Sequence, residues 1–346
     1  MDKMKVGIIG ATGYAGAELL RLLLTHPNVT VSAISSVSFE HQNIQDVYPN
    51  FAQTCNMVLC DEDTAIQKSD VIFASLPHGL SELIAEKCVE QNKYLIDLGA
   101  DFRLTDPKDY EEWYQLSYQK PELHELSAYI IPELHRKLAD NIKIIANPGC
   151  YPTSISLGLA PIIQTGKVDC NSIIIDSKSG VTGAGRGLSQ TTHYPDCNEA
   201  FSPYKVAPHR HTPEIEQTLS GLAGQNCTVT FVPHLLPVNR GIVSTMYLNL
   251  TEPMALEEIH SLYRKFYQTE KFVRVLPKGT TANLKNVKYS NYCDISLHLD
   301  PRTNRLIVVS TIDNMVKGAA GQAIQNMNLL MGIPENTGLD FIPPAF

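Results

Sequence analysis

Among eight cysteines in 346 residues, Cys150 has the surroundings a reactive thiol needs. It lies in Asn147-Pro148-Gly149-Cys150-Tyr151-Pro152-Thr153-Ser154, between a strand-like run at 142–146 and a small, apolar, helix-like run at 155–163. Pro152 suits the first turn of a helix, where its missing N–H costs nothing. Cys150 is therefore expected at a helix N-terminus. There the dipole and free amides favour a thiolate and can hold the oxyanion formed when sulfur attacks a carbonyl. Lowering a thiol pKa from about 8.5 to about 6.5 takes roughly 2.7 kcal/mol, more than a dipole usually supplies, so a nearby cation is expected to help. Acyl transfer through a covalent thioester is the chemistry such a sulfur performs. Cys55, Cys60, Cys88, Cys170, Cys197, Cys227 and Cys293 read as buried structural thiols.

A second chemical signal is Gly10-Ala11-Thr12-Gly13-Tyr14-Ala15-Gly16, between a first strand at 5–9 and a first helix at 15–26. Glycines at this spacing let the backbone turn tightly, approach a pyrophosphate and aim helix amides at it. The second strand, 29–35, runs into Ser35-Ser36-Val37-Ser38, with no carboxylate before Glu40. Ser35 and Ser36 can donate to a ribose phosphate, so NADP(H) is the expected cofactor.

Both signals need scaffolds. Strands at 5–9, 29–35, 71–76, 94–98 and 142–146 alternate with helix-length segments, which predicts a doubly wound parallel sheet of the Rossmann type. Beyond residue 149 the strand candidates (172–176, 228–232, 242–250, 272–276, 294–299, 306–312) are longer and helices fewer, chiefly 213–222 and 256–267. That texture predicts a mixed or antiparallel sheet with helices on one face, followed by a last helix at 317–331. The fold class is α/β in two domains. A net charge of -8 argues against nucleic acid or anionic membrane as a partner. With no leader or membrane-length apolar run, a cytoplasmic protein with reduced thiols is expected.

Further blocks accompany these two signals: Leu76-Pro77-His78-Gly79, Asp97-Leu98-Gly99-Ala100-Asp101-Phe102-Arg103-Leu104, Pro132-Glu133-Leu134-His135-Arg136 and Ser179-Gly180-Val181-Thr182-Gly183-Ala184-Gly185-Arg186. They continue with His209-Arg210-His211-Thr212-Pro213-Glu214-Ile215, Val232-Pro233-His234-Leu235-Leu236-Pro237-Val238-Asn239-Arg240-Gly241 and Val316-Lys317-Gly318-Ala319-Ala320. With them, essentially the whole chain resembles the N-acetyl-gamma-glutamyl-phosphate reductase family, arginine-pathway relatives of the aspartate-semialdehyde dehydrogenases. That family usually has serine where Gly99 and Thr182 stand.

The resemblance implies an NADP-binding domain at 1–148 plus 317–346 and a catalytic, oligomer-forming domain of the aspartate-semialdehyde/glyceraldehyde-phosphate dehydrogenase type at 149–316. It implies Cys150 as nucleophile, N-acetyl-glutamyl phosphate as substrate, and a homodimer or homotetramer. His209 and His211 are the acid/base candidates; in an extended segment they would point to opposite sides, and which one works stays open. No third and fourth ligand stand at zinc-like spacing from them, so no metal is expected. Gly10, Thr12, Gly13, Tyr14, Ala15, Gly16, Ser35, Ser36, Pro77 and Gly183 are implied around the cofactor, with Asn314 on the nicotinamide carboxamide. Arg103, Arg186, Glu214 and Arg240 are implied around the substrate. A lysine-pathway reductase of carrier-borne aminoadipyl phosphate and a non-catalytic NADP-binding sensor are the alternatives.

Overall fold

Short apolar runs separated by amphipathic helices pair side by side in the first part of the chain, as parallel strands joined by crossovers must. The structure, a computed structural model, describes residues 3–345; residues 1, 2 and 346, which the expected domain limits include, lie outside the described residues. Strands β1 (Met4–Ile9), β2 (Val29–Ser35), β3 (Val71–Ala74), β4 (Tyr94–Asp97), β5 (Ser127–Tyr129) and β6 (Ile144–Ala146) form one sheet, ordered β2-β1-β3-β4-β6-β5. Every pairing in it is parallel. All four residues of β3 are buried, as expected of a strand covered on both faces. The helix Tyr14–Leu23 turns Leu19, Leu20, Leu22 and Leu23 inward. The edge strand β5 has no sequence signal, because Ser127-Ala128-Tyr129 is too short to show a period.

At the C-terminal end of β4 two carboxylates are buried together. Asp101 accepts from the Gly79 and Ser81 amides and the Tyr110 hydroxyl. Asp97 Oδ1 accepts from Ser81 Oγ at 2.7 Å and the Gly99 amide at 2.8 Å, while its Oδ2 has no hydrogen-bond partner among the described residues. Desolvation, then the neighbouring Asp101, pushes the Asp97 carboxyl up to about 7. A carboxyl raised on folding stabilises below its unfolded value near 3.8 and loses that contribution as pH rises toward 7. Stability in chemical denaturation should therefore fall between about pH 4 and pH 7, by up to roughly 4 kcal/mol for a shift of this size, and Asp97→Asn should flatten that slope.

The later strands are β7 (Ile173–Gly180), β8 (Ser202–Pro203), β9 (Val229–Leu236), β10 (Ile242–Asn249), β11 (Val273–Val275), β12 (Cys293–Asp300) and β13 (Arg305–Ile312). They form a mixed sheet ordered β11-β12-β13-β10-β7-β9-β8, parallel at β7/β9 and β11/β12 and antiparallel elsewhere. The helices Cys150–Ile163, Thr212–Ala223 and Leu256–Phe266 pack against it. Along β10, Ile242, Ser244, Met246 and Leu248 are buried while Val243, Thr245, Tyr247 and Asn249 are half-exposed. One face is core and the other lies open.

The residues up to Pro148 with Ala319–Asp340 form one compact unit; those from Gly149 to Gly318, with the stretch after Asp340, form the other. The return crossing thus falls two residues later than the expected 317, and the tail departs from the first unit. Asp313 explains the later crossing: its Oδ1 accepts from the Met315 and Val316 amides and its carbonyl from the Gly318 amide, tying 315–318 to the second unit. The expected helix at 317–331 accordingly starts as a widened π turn, Val316–Ala320, before the α-helix Gly321–Leu330. Within the first unit that helix buries a row of amides. Gln325 donates to Glu133 and Glu335, Asn326 to the Ile130 carbonyl and Asn147 Oδ1, and Asn328 to the Glu335 and Thr337 carbonyls.

Candidate active site

Cys150 is the first residue of the helix Cys150–Ile163. Gly149 is the extended N-cap (φ -67°, ψ 158°), and among the described residues no side chain caps the helix or places an acid in its first turn. The amides there are oriented for an anion. The thiol is half-buried rather than sealed in the core. Gly318 lies against it: a Cβ at 318 would stand 2.8 Å from the Cys150 Cβ, so only glycine fits without displacement. Four residues on, Ser154 Oγ donates to Ser244 and Ser310, and Ser177 Oγ to Ser244, a buried hydroxyl chain that fastens the helix to the sheet. Cys55, Cys88, Cys170, Cys227 and Cys293 are buried as expected, but Cys60 and Cys197 are only half-buried. Desolvation raises the Cys88 and Cys227 thiols to about 12, which leaves them protonated and inert.

The two histidines do not diverge. Residues 210–211 turn, and both imidazoles come to the same side, their centroids 5.0 Å apart and each edge-on to Tyr151. His209 is buried, its Nδ1 accepting the His211 amide at 3.1 Å, so its proton sits on Nε2, which faces the Tyr204 hydroxyl at 3.5 Å. Tyr204 in turn shares a 3.1 Å hydrogen bond with the Tyr151 hydroxyl. Desolvation first, then Lys205 and Arg210, lowers His209 to about 4, and it stays neutral at pH 7. His211 is partly accessible. The tyrosines escaped the sequence reading; Tyr151 stands beside the nucleophile in its block, whereas Tyr204 gave no signal.

Three residues expected at the ligands have their polar groups engaged inside the fold. Glu214 is completely buried and its Oε1 accepts the Gly149 amide at 2.7 Å, anchoring the turn that carries Cys150. Arg103 is buried and donates from Nε to the Asn147 carbonyl and from Nη2 to the Leu98 carbonyl, clamping the ends of β4 and β6. Asn314 accepts the Gly241 amide on Oδ1 at 2.6 Å and donates from Nδ2 to Thr182 Oγ1 at 3.0 Å, bracing the turn that holds Gly183. Arg186 is exposed on the loop after that turn. Arg240 lies 3.7 Å from Asp313 and over the Tyr289 ring.

In the first unit, the residues present fit a dinucleotide. Gly10 has φ +81°, and a Cβ there or on Gly16 would collide with the Ser75 or Gly10 carbonyl, so this turn can bring bare backbone close to a pyrophosphate. Gly13 caps Tyr14–Leu23 with no side-chain hydrogen bond and no acid in the first turn. Thr12 Oγ1 lies 2.7 Å from Ser36 Oγ, which joins the turn to the end of β2 beside Ser35. Tyr14 and Pro77 are exposed, Ala15 half-buried.

The pattern of the semialdehyde dehydrogenase NAD binding domain matches residues 5–142, and that of the semialdehyde dehydrogenase dimerisation domain matches residues 150–314. The chain is 57% identical over 343 residues to N-acetyl-gamma-glutamyl-phosphate reductase of Clostridium beijerinckii, covering 99% of this chain and 100% of that protein. Identity to the same-named protein of Brachyspira hyodysenteriae is 59% over 351 residues, with the same coverage. Among solved structures, aspartate semialdehyde dehydrogenase II of Vibrio cholerae superposes with a TM-score of 0.73 at 16% identity, over 96% of this chain and 99% of that one. Aspartate semialdehyde dehydrogenase with NADP from Candida albicans gives 0.71 at 16% identity, over 97% and 100%. At that identity the likeness is one of fold.

Proposed function

The chain belongs to the N-acetyl-gamma-glutamyl-phosphate reductases within the semialdehyde dehydrogenase family, enzymes of arginine biosynthesis, and from that premise we propose how its residues carry the reaction. Cys150 Sγ attacks the acyl carbon of N-acetyl-glutamyl phosphate; the carbon–oxygen bond to phosphate breaks and phosphate leaves with the electron pair, giving a thioester. The amides that open Cys150–Ile163 hold the oxyanion. When bound, the reduced nicotinamide supplies hydride to an acyl carbon. As the resulting hemithioacetal collapses, its carbon–sulfur bond breaks, Cys150 leaves as thiolate and the semialdehyde is released.

His211 takes the thiol proton at the outset and gives it back at the end. His209, neutral and locked by the His211 amide, is a positioning residue that holds Tyr204. Glu214 and Arg103 position the nucleophile turn from its two sides in sequence. Arg186 and Arg240 meet carboxylate or phosphate. The Gly10, Gly13 and Gly16 turn, with Thr12, Tyr14 and Ala15, holds the pyrophosphate. Ser35 and Ser36 support NADPH as the reductant, with Pro77 alongside the dinucleotide; in the second unit Asn314 braces Gly183. The observation that carries the scheme is Cys150 at an uncapped helix start, half-buried.

The deciding assay follows NADP reduction with N-acetylglutamate semialdehyde and phosphate, against aspartate semialdehyde. Turnover confined to the acetylated substrate and dependent on phosphate is expected; equal use of aspartate semialdehyde rejects the substrate assignment.

The open face of the seven-stranded sheet supports a homodimer. Phe201 stacks on His234 there at 5.2 Å, and Leu188, Tyr194 and Val206, in the segment that leads into and out of β8, expose 104%, 73% and 52% of their surface. Apolar side chains that bare are a partner-binding feature, and a second copy is the simplest partner. Sedimentation should give about twice the chain mass, with Leu188→Glu plus Tyr194→Ser shifting the protein toward monomer at micromolar concentration. Among the described residues no helix is long and apolar enough to cross a membrane.

A further inference from the structure

In this fold class the end of the second strand reads the adenosine ribose, a carboxylate there accepting from its 2′-hydroxyl and an arginine accommodating a 2′-phosphate. Here a cavity of about 260 Å³ opens at that point, lined by Ser35, Ser36, Glu40, Asp61, Asp63 and Lys87 among others. Ser35 is 1% exposed and lines the cavity. Ser36 Oγ is already shared with Thr12 Oγ1.

The charges around these hydroxyls have the wrong sign for a phosphate. Lys87 is the one cation among the described lining residues, and its Nζ lies 2.6 Å from Asp63 Oδ1, an ion pair that consumes its charge locally. Asp61 is held ionised by the Thr64 hydroxyl and amide. Glu40 and Glu62 complete a carboxylate rim. A 2′-phosphate, close to doubly charged at neutral pH, would enter among these carboxylates with no guanidinium to receive it. A ribose diol would find acceptors.

Resting on the dinucleotide reading of the Gly10 turn, we infer that this chain takes NADH at least about as readily as NADPH, with Ser35 and Glu40 reading the ribose. The serines that permit the extra phosphate do not select it, because the rim offsets what they offer.

Isothermal titration of the whole protein with NAD and NADP, at about 0.15 M salt where distant charges are screened, gives the binding ratio. Steady-state kcat/KM with each cofactor gives the functional ratio. Both ratios are expected to lie within about tenfold of unity or to favour the unphosphorylated form; preference for the phosphorylated form beyond about tenfold in both overturns the inference. Glu40→Lys should tighten NADP by about tenfold or more and weaken NAD, and an unchanged NADP Kd counts equally against it. Equal binding of both cofactors without semialdehyde turnover would leave the inference standing and sink the proposed reaction instead.

Discussion

Cys150→Ser is expected to cut phosphate-dependent oxidation of N-acetylglutamate semialdehyde by about 10⁴-fold or more, because losing a nucleophile removes the covalent route entirely. The substitution changes one atom. Serine keeps the helix start, the contact with Gly318 and the amides that hold an oxyanion, but a hydroxyl is not ionised near neutral pH as a thiol can be. Dinucleotide binding, measured by titration calorimetry, should be unaltered, since the Gly10 turn lies in the other unit. Rapid mixing of wild-type protein with semialdehyde and NADP in the absence of phosphate should show a burst of reduced cofactor as the thioester accumulates, and the variant should show none. A Cys150→Ser protein within about tenfold of wild type would reject the thioester scheme.

The second large effect belongs to His211. Removing a general acid/base costs about 10²–10⁴-fold, so His211→Asn should lower kcat by that range with little change in KM. The neighbouring imidazole cannot replace it: at about 4, His209 is a weak base through the working pH range and has its Nδ1 occupied. The pH profile separates the two. The acidic limb of kcat/KM should vanish in His211→Asn, whereas His209→Gln should keep that limb and lose activity through misplacement of Tyr204. If His209→Gln abolishes the limb and His211→Asn retains it, the two roles are exchanged.

What was legible in the sequence is what short-range chemistry encodes. Pro152 and the small residues after Cys150 announce a helix start locally, and the Gly10, Gly13 and Gly16 spacing announces a strand–turn–helix, in which a Cβ on Gly16 would strike the Gly10 carbonyl within the same turn. Strand alternation was equally readable in β10, whose period follows from one covered face. The fates of Arg103, Glu214 and Asn314 were not. Each is a polar side chain in a recognisable block, and nothing local tells whether its partner will be a ligand or a backbone group brought in by the fold. Glu214 meets the amide of a residue 65 positions earlier, and Asn314 meets a hydroxyl 132 positions away. The histidine spacing misled for a related reason: alternation applies to extended backbone, and the chain turns at 210–211.

The widened turn at Val316–Ala320 sets how this protein tolerates indels. A π turn houses one residue more than an α turn. Deleting that residue would let a regular helix run on unbroken, yet every later side chain would be rotated by about 100° around the axis. Asn326 would swing off the Ile130 carbonyl and Gln325 off Glu133, leaving buried amides facing hydrocarbon. The extra residue acts as a phase setter, and the chain can lose length in its exposed loops far more cheaply than here.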